Sequence, residues 1–364
     1  MNTLRTWAEC GEDALRSNIR AIRAKLGSSR LLGVVKANAY GHGAVRVSEI
    51  LLSEGASGLA TATPMEAIQL REAGITAPIL VFGIAPAECA ETLALQDVAL
   101  TVADYESAAS YSSVASKLGK TLTCHLKLDT GMGRLGFQTT SDAARALALP
   151  GLRFDGVFTH FAASDEPSGK EYTLAQLHRF NDMASKLERA AGKRFSLRHA
   201  ANSGAVASCP ESLLDMARPG IMLYGYPGNL GNFGLTPVME LKTRVAQVKT
   251  LSKGESVSYG RRYIAAGPIR VAVLPIGYAD GLPRVLSGKL SVLINGRAAA
   301  QIGTICMDMC VVDVTDIPEA RAGTVVTVFG KTPGFTAADL AAKCDTISYE
   351  ILCGVSTRVP RVYV

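Results

Sequence analysis

The chain has 364 residues, of which 48% are hydrophobic and 19% charged, the composition of an ordered globular protein too large for one core. Its formal charge of +6 is spread without a basic run, which excludes the electrostatic footprint of a nucleic-acid or membrane-surface binder but suits a small anionic ligand. There is no signal-type N-terminus, no run near the ~20 apolar residues of a membrane helix, and no C-x-x-C pair among eight scattered cysteines, so a cytoplasmic protein with reduced thiols and no metal site is expected.

In chain order, apolar β-rich runs fall at LLGVV (31–35), GLATA (58–62), PILVFG (78–83), VALTVA (98–103), LTCHLKL (122–128), FDGVFTH (154–160), RFSLRH (194–199) and MARPGIMLYG (216–225). Stretches of helical period, such as AVRVSEILLSEG and QLHRFNDMASKLERAAG, separate them. Eight β-then-α units in about two hundred residues match a (β/α)8 barrel, although an open doubly wound sheet shares that periodicity. A Gly- and Pro-rich linker, YGYPGNLGNFGLTP (224–237), follows. Beyond it LKTRVAQVKTL, IRVAVLPIG, LSVLINGRAAAQIG and CVVDVTDI read as short strands joined by NG and KG turns. The expected architecture is an α/β chain, with an N-terminal (β/α)8 barrel over 8–231 and a C-terminal mainly-β domain over 232–364, against which residues 1–7 are free to pack.

Unusual polar residues stand where these strands end. Lys36 follows the first, Arg134 the fifth, His160 the sixth, His199, Asn202 and Ser203 the seventh, and Arg218 and Gly220 lie in the eighth unit. The carboxyl ends of barrel strands are where active-site groups gather. Each residue also has a bland reading: a lone lysine is usually solvated, His160 could be a satisfied core histidine, the arginines ion-pair partners, GMGRLG a turn, and Tyr40 and Tyr349 packing residues. Their convergence on one end of a barrel favours a site. Burial would lower the pKa of Lys36 toward that of a nucleophilic or basic amine.

The segment VVKANAYGHG resembles the pyridoxal-phosphate attachment segment of alanine racemases. KLDTGMGRLGF, THFA, HAANSG, ARPGIMLYG, VSYGRRY, PIGYADGLPR, GTICMDM and YEILCGVSTRVPRVY follow in that family's order, so the resemblance spans essentially the whole chain. It implies interconversion of L- and D-alanine, supplying D-alanine for cell-wall peptidoglycan, with Lys36 holding pyridoxal 5'-phosphate as a Schiff base. Lys36 would serve as base on one face of the α-carbon and Tyr259 on the other. His160 and Arg218 would link the phenol toward the cofactor ring. The family sets the arginine against the pyridine nitrogen, and a guanidinium accepts no proton, so that nitrogen should stay unprotonated and the ring act as a weaker electron sink. Tyr40, Asn202, Ser203, Tyr349 and the backbone amides of Gly220 and Ile221 match the family's phosphate ligands. Arg134 and the Met307 amide match its substrate-carboxylate ligands. Lys127 matches a lysine carbamylated in some members, and Tyr278 a tyrosine at the site's entrance that, with Tyr349, limits the side chain to about a methyl.

In the family, Tyr259, Tyr278 and Met307 reach the site from a second subunit, so the resemblance implies a head-to-tail homodimer with shared sites. GTICMDM departs from the pattern at Thr304, where the family often has arginine, and altered support of the Met307 loop is expected. Three other readings remain: a basic amino-acid decarboxylase, which should carry a carboxylate at the ring nitrogen and a cysteine in the second domain; a serine or broad-specificity racemase; and a non-catalytic cofactor-binding protein, which needs no Tyr259.

Overall fold

The computed structural model describes residues 4–228 and 233–364. After a first strand, β1 (Thr6–Cys10), eight strands run parallel around a barrel: β2 (Arg30–Val34), β3 (Gly58–Thr61), β4 (Ile79–Val81), β5 (Ala99–Val102), β6 (Leu122–Lys127), β7 (Leu152–Phe158), β8 (Leu197–His199) and β9 (Met216–Ala217). Neighbours in the chain are neighbours in the sheet, and β9 returns to pair with β2. The seam between β8 and β9 closes through isolated bonds, Asp215 N–H to the Arg198 carbonyl at 3.1 Å and Arg218 N–H to the Ala201 carbonyl at 2.9 Å. A closed barrel, rather than an open sheet, is therefore the architecture.

The apolar runs form strands because both faces are covered, by barrel interior on one side and by helices on the other. β3 and β4 are buried at every residue. Helix Glu12–Leu26 buries Leu15, Ile19, Ile22 and Leu26, a stripe at helical spacing. Helix Lys170–Ala191 buries Leu177, Phe180, Met183 and Leu187 and stops at Gly192, in the left-handed conformation. The eighth run is not one long strand. Only Met216–Ala217 is extended; Pro219 has no N–H for a ladder, and Ile221–Tyr224 closes into a 3-10 turn.

The second domain adds β10 (Met239–Arg244), β11 (Gln247–Leu251), β12 (Ser256–Val257), β13 (Tyr263–Ile264), β14 (Ile269–Leu274), β15 (Ser291–Ile294), β16 (Arg297–Ile302), β17 (Cys310–Asp313), β18 (Val325–Phe329) and β19 (Arg361–Tyr363). Nine strands form one sheet in the order β11-β14-β17-β16-β15-β18-β10-β1-β19. Asn295 and Gly296, both at positive φ, make the tight turn between β15 and β16. β1 pairs antiparallel with β10 and parallel with β19. Residues 8–10, expected in the barrel, thus belong to the second sheet, because their backbone groups are satisfied between strands more than two hundred residues away in sequence. The expected boundary at 231/232 lies outside the described residues.

The β domain grips the barrel where β2 ends. Arg361 Nε donates to the Gly41 carbonyl at 2.8 Å and Tyr363 Oη to the His42 carbonyl at 3.1 Å. Gly41, at φ 83°, lies so near the Leu352 carbonyl that a Cβ would collide with it. This contact seats helix Ser348–Cys353, which carries Tyr349, over the carboxyl end of the barrel.

Candidate functional site

At that end a cavity of about 430 Å³ is lined by Lys36, Tyr40, Lys127, Arg134, His160, Asn202, Ser203, Arg218, Gly220 and Tyr349, among others. Residues from seven strand ends and from the β domain meet there although the sequence scatters them over three hundred positions.

Lys36 leaves β2 into an uncommon backbone. Ala37, Asn38, Ala39 and Tyr40 all lie near φ 50°, a left-handed turn made without glycine. Each such residue costs roughly 1–2 kcal/mol, and the turn persists because its polar groups are held from several sides. Glu66 Oε1 accepts Ala37 N–H at 2.6 Å, and Asn38 Oδ1 accepts Ala44 N–H at 2.7 Å. His42 Nδ1 lies 3.0 Å from the Ala39 carbonyl and 2.9 Å from that of Tyr40, so this nitrogen carries the proton. Burial pushes His42 down to about 4, which keeps the ring neutral. Lys36 is lowered by burial and then by the Arg134 charge, against raising contributions from Cys353 and Glu66. Its amine is thereby moved toward a basic, nucleophilic form.

At the back wall of the cavity, Arg218 is buried. Its Nη2 donates to the Thr159 carbonyl at 2.7 Å and the Ala200 carbonyl at 3.0 Å, and its Nη1 donates to His199 Nδ1 at 3.1 Å. That donation leaves the proton of His199 on Nε2, which donates to His125 Nδ1 at 2.8 Å. Burial lowers Arg218 to about 9, still charged at neutral pH. Burial and Arg218 together hold His199 and His160 neutral, and burial takes His125 down to about 4. The residue paired with Arg218 is thus His199, while His160 lines the cavity beside it.

β6 points Lys127 into the same space, its Nζ 5.1 Å above the Phe158 ring. Burial first, then Arg218, lowers it to about 7. Two residues on, Asp129 Oδ1 accepts the amides of Gly131 (3.0 Å), Met132 (2.9 Å) and Gly133 (3.1 Å), which shapes the loop that presents the exposed Arg134. Burial alone would raise Asp129, but those amides and Lys127 hold it low.

On another wall, Ser203 Oγ accepts Gly220 N–H at 2.8 Å and Met222 N–H at 3.4 Å, and Asn202 Oδ1 accepts from Ser164 Oγ at 2.7 Å. Gly220 has no room for a Cβ, which would strike Tyr40 Oη. The Tyr40 ring is fixed by Tyr224 and Tyr349, with centroids at 4.9 and 5.8 Å. Ile221 is buried in the turn after Gly220 and is not among the residues lining the cavity.

Four cations, Lys36, Lys127, Arg134 and Arg218, face this space against one carboxylate, Asp165. Such a surplus, with hydroxyls and amides concentrated at one wall, fits a small ligand bearing a phosphate and a carboxylate. Pyridoxal phosphate with an amino acid has that chemistry, and Lys36 supplies the amine to which its aldehyde would attach.

Three predicted residues lie elsewhere. Tyr259 and Met307 line a separate surface cavity with Ser258, Cys306, Asp308 and Met309, and their side chains are 72% and 53% exposed. Tyr278 lies in a third depression beside Leu282 and Glu350, with its amide bonded to the Cys306 carbonyl at 3.1 Å. Sequence reasoning passed over Glu66 and His125 and gave His199 no partner. For His125 a signal existed, since it stands two residues before Lys127 on one strand and so shares its face. Glu66 has only the local signature of a capping box with Thr63.

Comparison with known proteins bears on both domains. The family model "Alanine racemase, N-terminal domain" matches residues 11–227, and "Alanine racemase, C-terminal domain" matches 238–363. Alanine racemase 1 of Clostridium acetobutylicum is 42% identical over 98% of this chain and 95% of its own length. An alanine racemase of Clostridium perfringens is 45% identical over the same shares. The crystal structure of alanine racemase from Streptomyces lavendulae superposes with a TM-score of 0.94 at 38% identity, covering 100% of this chain and 98% of that one. With both domains matched and the fold shared along its whole length, the chain belongs to the alanine racemase family.

Proposed function

We propose that this protein interconverts L- and D-alanine with pyridoxal 5'-phosphate held through Lys36, that Lys36 and Tyr259 are the two bases, and that Tyr259 is delivered by a second copy of the chain. The observation that carries the reading is a division. One cavity holds Lys36 with the cationic and phosphate-binding groups, while Tyr259 and Met307 stand exposed in another.

Inversion at the α-carbon needs a proton removed from one side and returned on the other. The cofactor, when bound, withdraws electrons from that carbon and makes its proton removable. Lys36, its pKa lowered by burial, takes or returns the proton on the D side. A phenol at the opposite face completes the inversion, and no tyrosine of the Lys36 cavity is suited: burial raises both Tyr40 and Tyr349, the latter to about 12. Arg134 orients the substrate carboxylate, helped by the Met307 amide from the second chain. Ser203, Asn202, Tyr40, Tyr349 and the Gly220 amide hold the phosphate. Arg218, kept in place by His199, presents a fixed positive charge to the ring. Exposed Tyr259, Tyr278, Met307 and Met309 form an apolar surface suited to a head-to-tail homodimer. In this reading the enzyme works in the cytoplasm and its D-alanine feeds peptidoglycan.

The test is α-proton exchange and inversion in deuterated water, scored for both enantiomers of alanine, serine and lysine. Alanine should exchange and invert fastest. In Tyr259→Phe, D-alanine should still exchange without inverting, whereas exchange from L-alanine should be lost. Equal loss from both enantiomers would count against the two-base assignment.

A further inference from the structure

Tyr259 stands on backbone that an ordinary loop would not adopt. Ser258 has φ 64° and ψ −173°, a region essentially reserved for glycine, and Arg261 has φ 47°. Such conformations persist only where the surroundings over-determine them. Among the determinants are two hydrogen bonds that cross between the turn and Thr304. Ser258 Oγ donates to the Thr304 carbonyl at 2.6 Å, and Thr304 Oγ1 donates to the Tyr259 carbonyl at 2.8 Å.

Thr304 is 2% exposed, so no water replaces its hydroxyl if that is removed. The Tyr259 side chain is largely exposed, so packing within its own chain does not aim it; the backbone does. The same segment continues to Met307, whose loop is tied by Cys306 N–H to the Met309 carbonyl at 2.9 Å and by Ala279 N–H to the Met307 carbonyl at 3.0 Å. The clamp thus joins the phenol-bearing turn to the loop whose amide is assigned to the substrate carboxylate.

We infer that Ser258 and Thr304 are positioning residues that hold the backbone of Tyr259 and so fix where the phenol enters the partner chain's cavity. This rests on the reading of Tyr259 as the base for L-alanine.

The experiment uses the full chain loaded with pyridoxal phosphate. Thr304→Val removes the hydroxyl at nearly constant volume, Thr304→Ser keeps it, Ser258→Ala breaks the other half of the clamp, and Tyr259→Phe is run in parallel. Exchange of the α-proton in deuterated water is measured for each alanine enantiomer, with thermal unfolding alongside. Thr304→Val and Ser258→Ala should slow exchange from L-alanine about 10- to 100-fold, as a misplacement near 1 Å does, while D-alanine exchange by Lys36 persists and Thr304→Ser stays close to the parent. If Thr304→Val does not unfold cooperatively, Ser258→Ala decides. Selective loss in Tyr259→Phe without loss in Thr304→Val or Ser258→Ala overturns the clamp alone. Equal loss of both enantiomers in Tyr259→Phe overturns the tyrosine reading and the clamp with it. An equal fall for both enantiomers in Thr304→Val that serine does not restore marks a merely structural role and also overturns the inference.

Discussion

Glu66 Oε1 accepts the Ala37 amide at 2.6 Å, and its Oε2 accepts the amides of Ala62 at 2.8 Å and Thr63 at 3.1 Å. One carboxylate therefore fastens the residue after Lys36 to the start of helix Pro64–Glu72.

Glu66→Ala should cost about 1–2 kcal/mol of stability, the range for a lost cap, and should also lower turnover because the left-handed turn loses its first anchor. Glu66→Gln keeps an acceptor and should recover part of both. Urea unfolding and steady-state rates read the two effects separately. An unchanged unfolding midpoint in Glu66→Ala would show that the carboxylate holds nothing.

Shared sites make two inactive chains complementary. Lys36→Ala and Tyr259→Phe homodimers should each lack racemisation, yet a mixed dimer has one site with both residues intact. After subunit exchange of equal amounts, about one quarter of sites are restored by simple counting for a two-fold dimer. Activity of the mixture, measured against time of mixing, checks this; a mixture as inactive as its components would mean that each site draws both bases from one chain.

Lys127 gives the stability a pH slope. Burial and the Arg218 charge bring it down to about 7 when folded, against about 10.4 in an unfolded chain. Between these values the unfolded chain binds more protons, so this residue's contribution to stability rises with pH, by up to about 1.4 kcal/mol per unit. Below pH 7 the full penalty of burying the ammonium applies. Lys127→Met should therefore be more stable than the parent at pH 7, and that advantage should shrink by about 2 kcal/mol on going to pH 9. Denaturant titrations of the cofactor-free protein at the two values measure it, and a constant difference would refute it.

His199 holds one end of a buried guanidinium. His199→Phe would leave Arg218 Nη1 without its partner and His125 Nδ1 without a donor. A loss of about 1–3 kcal/mol for each unsatisfied buried group follows, and His125→Phe, which spares Arg218, should cost less. Thermal unfolding of the two variants ranks them, and the reverse order would contradict the assigned direction of the chain of bonds.

Much of the barrel was legible because a strand buried on both faces writes a continuous apolar run. The runs at 58–62, 78–83 and 98–103 fall on β3, β4 and β5 within two residues at each end. The carboxyl-end rule then brought Lys36, Arg134, His160, His199, Asn202, Ser203, Arg218 and Gly220 to one place, and the cavity is lined by all of them except His199, which is bonded to Arg218. The eighth run misled because apolar content does not distinguish a strand from a 3-10 turn, and only the proline within it marked the break.

What the sequence determined by itself was therefore local: where apolar runs begin and end, and which polar residues follow them. What the tertiary structure decided was pairing between distant groups. The placement of β1 beside β10 and β19, the capture of Ala37 by Glu66, the Arg218, His199 and His125 chain, and the clamp between Ser258 and Thr304 all join residues 29 or more positions apart, apart from Arg218 and His199 at 19. A hydrogen bond of that kind leaves no periodicity in the chain, because its strength depends on an approach of about 3 Å that only the closed fold imposes.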